Sequence, residues 1–86
     1  MKFKGISMLT IVAVRNAKPQ NKSYRMFDEK GLYLEVMPNG SKYWRLKYRF
    51  NGKEKRLALG VFPEVSLADA RTKRDEARKQ VASGND

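Results

Sequence analysis

The sequence contains no cysteine and no histidine. Without thiols, neither disulfides nor thiolate–zinc sites can brace the fold, and without imidazole the commonest metal ligand and general base are both missing. No paired carboxylates, nucleophile–base pair or metal-ligand cluster stands at a usable spacing, so enzymatic activity is the weakest reading and no cofactor or metal is expected. Long apolar runs are lacking as well. The nearest candidate, Ile6 to Val14, follows Lys2 and Lys4 in the manner of a signal peptide. It holds Ser7 and Thr10, however, and stops at Arg15 without a small-x-small cleavage pattern. Nothing reaches membrane-spanning length, which makes the cytoplasm the expected location.

Acidic residues are scarce too: 9 Asp and Glu stand against 19 Lys and Arg, a formal charge of +10 on 86 residues. A field of that sign draws polyanions, meaning nucleic acid, an acidic partner or an anionic membrane surface. The length suits a single domain held together by packing, with about ten large apolar side chains buried.

What the chain does have is alternation. From Leu32 to Leu59 the hydrophobic period is two, the signature of half-buried strands. A run over residues 32–37 ends at Pro38-Asn39-Gly40-Ser41, a run over 42–50 ends at Asn51-Gly52, and a run over 53–59 is closed by Gly60. Asn-Gly is the strongest short hairpin signal, because type I′ turns need positive φ at both central positions. Three strands in an antiparallel meander follow, with residues 24–27 as a possible short edge strand ending in the turn-rich Asp28-Glu29-Lys30-Gly31. Residues 61–65 then bridge to a helix. Ser66 is its natural N-cap, Asp69 suits its first turn, and Ser83-Gly84 ends it after about Ala82. Leu67, Ala70, Ala77 and Val81 share one helix face, with Arg74 in the middle of that stripe requiring a carboxylate or carbonyl partner. Ahead of the sheet, Thr10 caps a short helix that docks through Ile11 and Val14 and stops before Pro19. The expected fold is therefore α+β: a three-stranded antiparallel sheet packed on one C-terminal helix, with a short N-terminal helix.

Alternation also assigns faces. Trp44, Leu46, Tyr48 and Phe50 point one way, joined by Leu32, Leu34, Val36, Leu57 and Leu59, and the helix covers them with Phe62, Leu67 and Val81. Burial of each large side chain contributes roughly 1.5–3 kcal/mol before entropy is charged. The other face shows Tyr33, Glu35 and Met37, then Tyr43, Arg45, Lys47 and Arg49, then Glu54, Arg56 and Ala58. Like charges side by side on one strand repel unless a polyanion lies across them; the plainer alternative is a solvated face neutralised by counterions. A two- or three-stranded ribbon fits the B-DNA major groove, where Arg forks onto guanine and Lys reaches guanine acceptors or phosphate. The expected DNA contacts are Arg45, Lys47 and Arg49, with Arg56 beside them. Tyr33 and Tyr43 would support these or pack on sugar or a thymine methyl, and Lys42 and Lys53 in the turns would hold phosphates. Lys73, Arg78 and Lys79 on the helix read first as an exposed face balanced by Asp75 and Glu76.

Certain strings recur in a known order: Arg15-Asn16-Ala17-Lys18-Pro19, Gly31-Leu32-Tyr33-Leu34-Glu35-Val36, and Gly40-Ser41-Lys42 leading into Trp44-Arg45. They continue with Tyr48-Arg49-Phe50-Asn51-Gly52-Lys53, then Leu59-Gly60 ahead of Pro63-Glu64-Val65-Ser66-Leu67-Ala68 and Ala70-Arg71. In this combination the chain resembles the amino-terminal arm-type DNA-binding domain of prophage and genomic-island tyrosine recombinases (integrases), over roughly residues 9–84. The resemblance implies a bacterial or phage protein in the nucleoid that grips double-stranded arm-type repeats flanking an attachment site. Core-binding and catalytic domains would follow, carrying the family's catalytic arginines, histidines and nucleophilic tyrosine, none of which maps here. It implies residues 1–19 as an N-terminal segment with a short helix, 20–82 as the DNA-binding sheet and helix, and 83–86 as the start of a linker. Residues 1–7 lie outside the match. Other integrase subunits or an accessory directionality factor are further partners by the same implication, with the isolated domain monomeric. RNA recognition and protein–protein docking through the basic face are the competing readings. Single-strand readers usually display two or three stacking aromatics, and here only Tyr33 and Tyr43 qualify.

Overall fold

The computed structural model describes residues 8–84, so residues 1–7, and Asn85 and Asp86 of the expected linker, lie outside the described residues. The elements run α1 (Ile11–Asn16), β1 (Tyr24–Phe27), β2 (Leu32–Val36), β3 (Lys42–Phe50), β4 (Lys53–Phe62) and α2 (Leu67–Ala82). The sheet is antiparallel in the order β1-β2-β3-β4. It therefore has four strands rather than three. The segment expected as an optional edge is a full partner of β2, pairing Tyr24 with Val36 and Phe27 with Tyr33. Tyr24 and Met26 pack on the core from this strand, and the Tyr24 hydroxyl donates to the Lys18 carbonyl at 2.6 Å. No helix among the described residues is long and apolar enough to cross a membrane.

Leu32, Leu34, Val36, Trp44 and Leu46 are fully buried and form one cluster with Val14, Leu59, Leu67 and Ala70. Trp44 lies at the centre of this cluster. Its indole Nε1 donates to the Val65 carbonyl at 2.7 Å, fixing the chain between β4 and α2 against the sheet and satisfying the polar end of a buried ring. Opposite Trp44 stands Gly60, at φ +135°, where a Cβ would overlap the Val65 side chain. The β3–β4 register shifts between Trp44 and Arg45, so that Trp44 pairs with Gly60 while Arg45 pairs with Ala58. This bulge absorbs one residue and carries β4 past Gly60 to Phe62, which precedes a cis peptide bond to Pro63. The strand thus does not close at Gly60 as its sequence suggested.

The two Asn-Gly pairs serve different turns. Asn51 and Gly52 both have positive φ (53° and 76°), as a two-residue type I′ hairpin requires. At Pro38-Asn39-Gly40 only Gly40 is positive. Its N–H donates to the Met37 carbonyl at 2.9 Å while the Met37 N–H donates to Ser41, giving a three-residue loop. Gly31, at φ +88°, accepts from the Lys47 N–H at 2.9 Å, and a Cβ there would strike the Lys47 carbonyl.

Helix α2 starts at Ser66, whose hydroxyl accepts from the Asp69 N–H, and it packs mainly through its first half, burying Leu67, Ala70 and Arg74. Its second half stands off the β3–β4 hairpin, leaving a groove of about 380 Å³ lined by Tyr48, Leu57, Leu59, Ala77 and Val81. Leu57, expected in the core, consequently remains 41% exposed. Helix α1 is capped by Thr10 as expected, but its six residues offer the core only Val14, with Leu9 and Ala17 packing on either side. Ile11, also expected to dock, faces solvent.

Arg74 finds its carboxylate in Asp28, in the β1–β2 turn. The buried Asp28 accepts from Arg74 Nη1 (3.1 Å), from Arg71 Nε and Nη2 (3.0 and 2.9 Å) and from the Leu9 N–H (2.8 Å). Arg71 Nη2 also reaches the Leu9 carbonyl, and Arg74 also binds Asp75 and the Glu29 carbonyl. Two separate segments, the chain at Leu9 and α2, converge on this one side chain of a third. Burial by itself raises the Asp28 carboxyl, but the Arg71 hydrogen bond, the Leu9 and Glu29 backbone and the Arg71 charge outweigh it and hold the group below the ordinary carboxylate range. Because the folded-state value is depressed, this contribution to stability is present above the unfolded carboxylate pKa and is lost as pH falls through the folded one. Urea melts should therefore show stability declining below about pH 4, and Asp28→Asn should flatten that decline. The same variant should lose about 3 kcal/mol at neutral pH, since it takes from the buried Arg74 its buried counter-charge and leaves it the exposed Asp75. Gly31→Ala should destabilise by about 1–3 kcal/mol, because the obstructing atom is backbone and cannot step aside; chemical denaturation checks both.

Candidate nucleic-acid interface

With Trp44 and Leu46 turned into the core, the pleat turns Tyr43, Arg45, Lys47 and Arg49 to the face away from α2. Register extends that face across the sheet. Arg45 stands opposite Tyr33 on β2, and Lys47 and Arg49 stand opposite Arg56 and Glu54 on β4. On β1, Arg25 pairs with Glu35 and Phe27 with Tyr33. The outer face thus carries five cations, Arg25, Arg45, Lys47, Arg49 and Arg56, against two carboxylates, Glu35 and Glu54.

The three central cations are held in different ways. Arg45 Nε lies 2.8 Å from Glu35 Oε1, and its guanidinium carbon is 5.6 Å from the centre of the Tyr43 ring. Lys47 reaches Glu54 only at 4.0 Å, with both side chains well exposed. Arg49 Nη2 donates to the Gly52 carbonyl at 3.0 Å, closing the hairpin turn from its outer side. Arg56 is exposed.

Three of the residues expected at the interface are placed differently. Tyr33 is on the outer face but fully buried, covered by the Arg25 guanidinium 5.0 Å from its ring centre and by Phe27 at 5.6 Å. This cover is a consequence of the fourth strand lying beside it. Lys42 pairs with Val36 and Phe62 on the α2 side of the sheet, and its ammonium donates to the Val14 and Arg15 carbonyls at 2.8 and 3.1 Å. It caps the C-terminal end of α1, where a cation also suits the helix dipole. Lys53 is exposed at the hairpin tip, but its partner Phe50 belongs to the α2 side, so it borders the cationic face without lying on it.

Beside Glu35, which alternation assigns to this face, the structure adds Arg25 and Phe27 from β1. A four-residue segment reads in sequence only as a possible edge strand, and its alternating Tyr-Arg-Met-Phe run is the signal for these two side chains. On α2, Lys73, Arg78 and Lys79 are exposed as expected, but Asp75 is engaged by Arg74. That hydrogen bond is the main reason the Asp75 carboxyl sits below its ordinary range.

Comparison with known proteins places this sequence in a family. The family model described as arm DNA-binding domain matches residues 9–86. The integrase of Enterobacteria phage P4 is 59% identical over 75 residues, which cover 85% of this chain and 17% of that protein. The integrase of Shigella phage Sf6 and the prophage integrase IntS of Escherichia coli (strain K12) are each 46% identical over 79 residues, covering 92% of this chain and 20% of theirs. The chain therefore spans about a fifth or less of the length of these relatives. By family match and by sequence identity over most of its length, the chain belongs to the arm DNA-binding domain family of phage and prophage integrases.

Proposed function

We propose that this chain is the module by which a longer integrase of the tyrosine recombinase class grips arm-type DNA repeats, laying the outer face of its sheet in the major groove. The observation that carries this reading is the one-sided charge of the sheet: Arg25, Arg45, Lys47, Arg49 and Arg56 share the face opposite the core, with only Glu35 and Glu54 among them. The β3–β4 hairpin, which carries Arg45, Lys47, Arg49 and Arg56, is a two-stranded ribbon narrow enough for the major groove, and its pairing presents these side chains in a fixed register, with β1 and β2 to one side. Arg45, Lys47 and Arg49 are the candidates for base edges and adjacent phosphates. Arg25 and Arg56 flank them, and Lys53 at the tip reaches a phosphate beyond the groove wall. Tyr43 supports Arg45 and offers its ring to sugar or a thymine methyl. Strand exchange itself belongs to the remaining four-fifths of such a protein.

A single-stranded RNA reading is disfavoured by the make-up of the face: Tyr33 is buried, and five cations outnumber the remaining aromatics, Tyr43 and the edge residue Phe27, which stand on separate strands. Competition among duplex DNA, duplex RNA and single strands should rank duplex DNA first. Affinity should fall steeply with salt, with a log–log slope of about −4 to −6 for neutralising roughly five or six phosphates. Arg45→Ala or Arg49→Ala should weaken binding to a preferred duplex by about 1–3 kcal/mol. If both variants bind preferred and random duplexes as tightly as the unaltered chain, the cationic face is not the interface. Lys42→Met provides the contrast: it should lower stability by about 1.5 kcal/mol through loss of the charged cap, and shift DNA affinity less than about twofold.

A further inference from the structure

We infer that Glu35 is a specificity-determining residue: it holds Arg45 for a base edge and keeps phosphate away from that guanidinium. This inference rests on the proposed DNA-binding reading and assigns one residue of that face a role the others do not share. A carboxylate in the middle of a surface that receives a polyanion opposes binding, so its presence there calls for a reason. Glu54, the other outer-face acid, is half-exposed at 46% and 4.0 Å from Lys47, free to swing aside. Glu35 is not. Its side chain is only 17% exposed, on an inner strand between β1 and β3, with Arg25 and Tyr43 as its register neighbours.

The contact geometry gives the reason. Glu35 Oε1 lies 2.8 Å from the buried Arg45 Nε, an ion pair by proximity rather than an aligned hydrogen bond, and no hydrogen bond from Arg45 Nη1 or Nη2 is seen among the described residues. The fork that recognises guanine O6 and N7 is therefore left available, while the inner edge of the guanidinium is buried against the Glu35 charge. Tyr43 lies alongside, with the guanidinium carbon 5.6 Å from its ring centre. A flexible arginine binds any phosphate within reach. One whose Nε is buried against a fixed negative charge has less freedom to do so and is preorganised toward a groove-floor acceptor. Lys47, loosely paired, and Arg49, tied to its own turn, lack such a restraint by a carboxylate on a neighbouring inner strand.

Glu35→Gln tests this, since it keeps the shape and removes the charge. A preferred duplex is first selected by the unaltered 86-residue chain from a pool of randomised duplexes. Its affinity is then compared with that of a scrambled duplex of the same composition, for the unaltered chain, Glu35→Gln, Glu54→Gln and Arg45→Lys. The inference predicts that Glu35→Gln binds the scrambled duplex more tightly and that its preference for the selected duplex falls about tenfold, with a salt slope steeper by about one. Arg45→Lys, which keeps charge but loses the fork, should show a similar loss of preference. Glu54→Gln should tighten binding to both duplexes alike. If Glu35→Gln shifts both affinities by the same factor, Glu35 contributes only charge or packing and the inference is overturned. A thermal melt of each variant establishes that folded protein is being compared. Failure of the unaltered chain to bind any duplex would instead sink the DNA-binding reading itself, a separate and recognisable result.

Discussion

The structure depends on the two-sidedness of β3. Trp44 and Leu46 are driven out of water, and because successive residues of a strand face opposite ways, Tyr43, Arg45, Lys47 and Arg49 must then face outward. A slip of one residue would bring the cations into the core and expose the indole, so the register is strongly specified. Trp44 strengthens that specification with the hydrogen bond to Val65 and the close packing of Val65 on Gly60. The same side chain thereby sets where β4 ends and how the chain enters α2. Burial of apolar groups on one side is what assembles the cationic array on the other.

The basic residues divide into two populations with different work. Arg71, Arg74 and Lys42 are structural: the two arginines converge on Asp28, and the lysine closes the end of α1. Burying the Asp28 charge is costly, and pairing alone does not guarantee a net gain over apolar packing. What the cluster achieves is connection, since the N-terminal segment, the β1–β2 turn and α2 all meet at one carboxylate. The formal charge of +10 therefore overstates what is available to a polyanion. On the proposed reading the outer-face cations are the relevant subset, and two carboxylates stand among them.

Much of this was legible from local pattern. The alternation over β2 and β3 gave the faces, Asn51-Gly52 gave its turn, and Ser66 and Thr10 gave their caps, because each signal lies within a few residues of its effect. The need of Arg74 for a carboxylate was also readable, but the identity of that carboxylate was not. Asp28 lies 46 residues away, in a run that reads simply as a turn. Lys42 misled for a similar reason: its place at the mouth of a hairpin suggested solvent, whereas its face was set by alternation from Trp44 and its partner by the docking of α1. Tyr33 obeyed the pleat yet was covered, since alternation tells which way a side chain points and not what a neighbouring strand lays over it. Leu57 failed in the opposite sense, because α2 covers only part of the apolar face. The β3–β4 bulge had only Gly60 as a hint, which read equally well as a strand end.

The central claim is that the face opposite α2 receives the DNA. The most direct test is residue-by-residue chemical-shift mapping of the labelled chain during titration with a duplex selected for binding. The account predicts that side-chain signals of Arg45, Lys47, Arg49 and Arg56, with the ring of Tyr43, respond most, while α2 and the indole of Trp44 stay near their free positions. Responses concentrated on Lys73, Arg78 and Lys79, with the central strand silent, would contradict it.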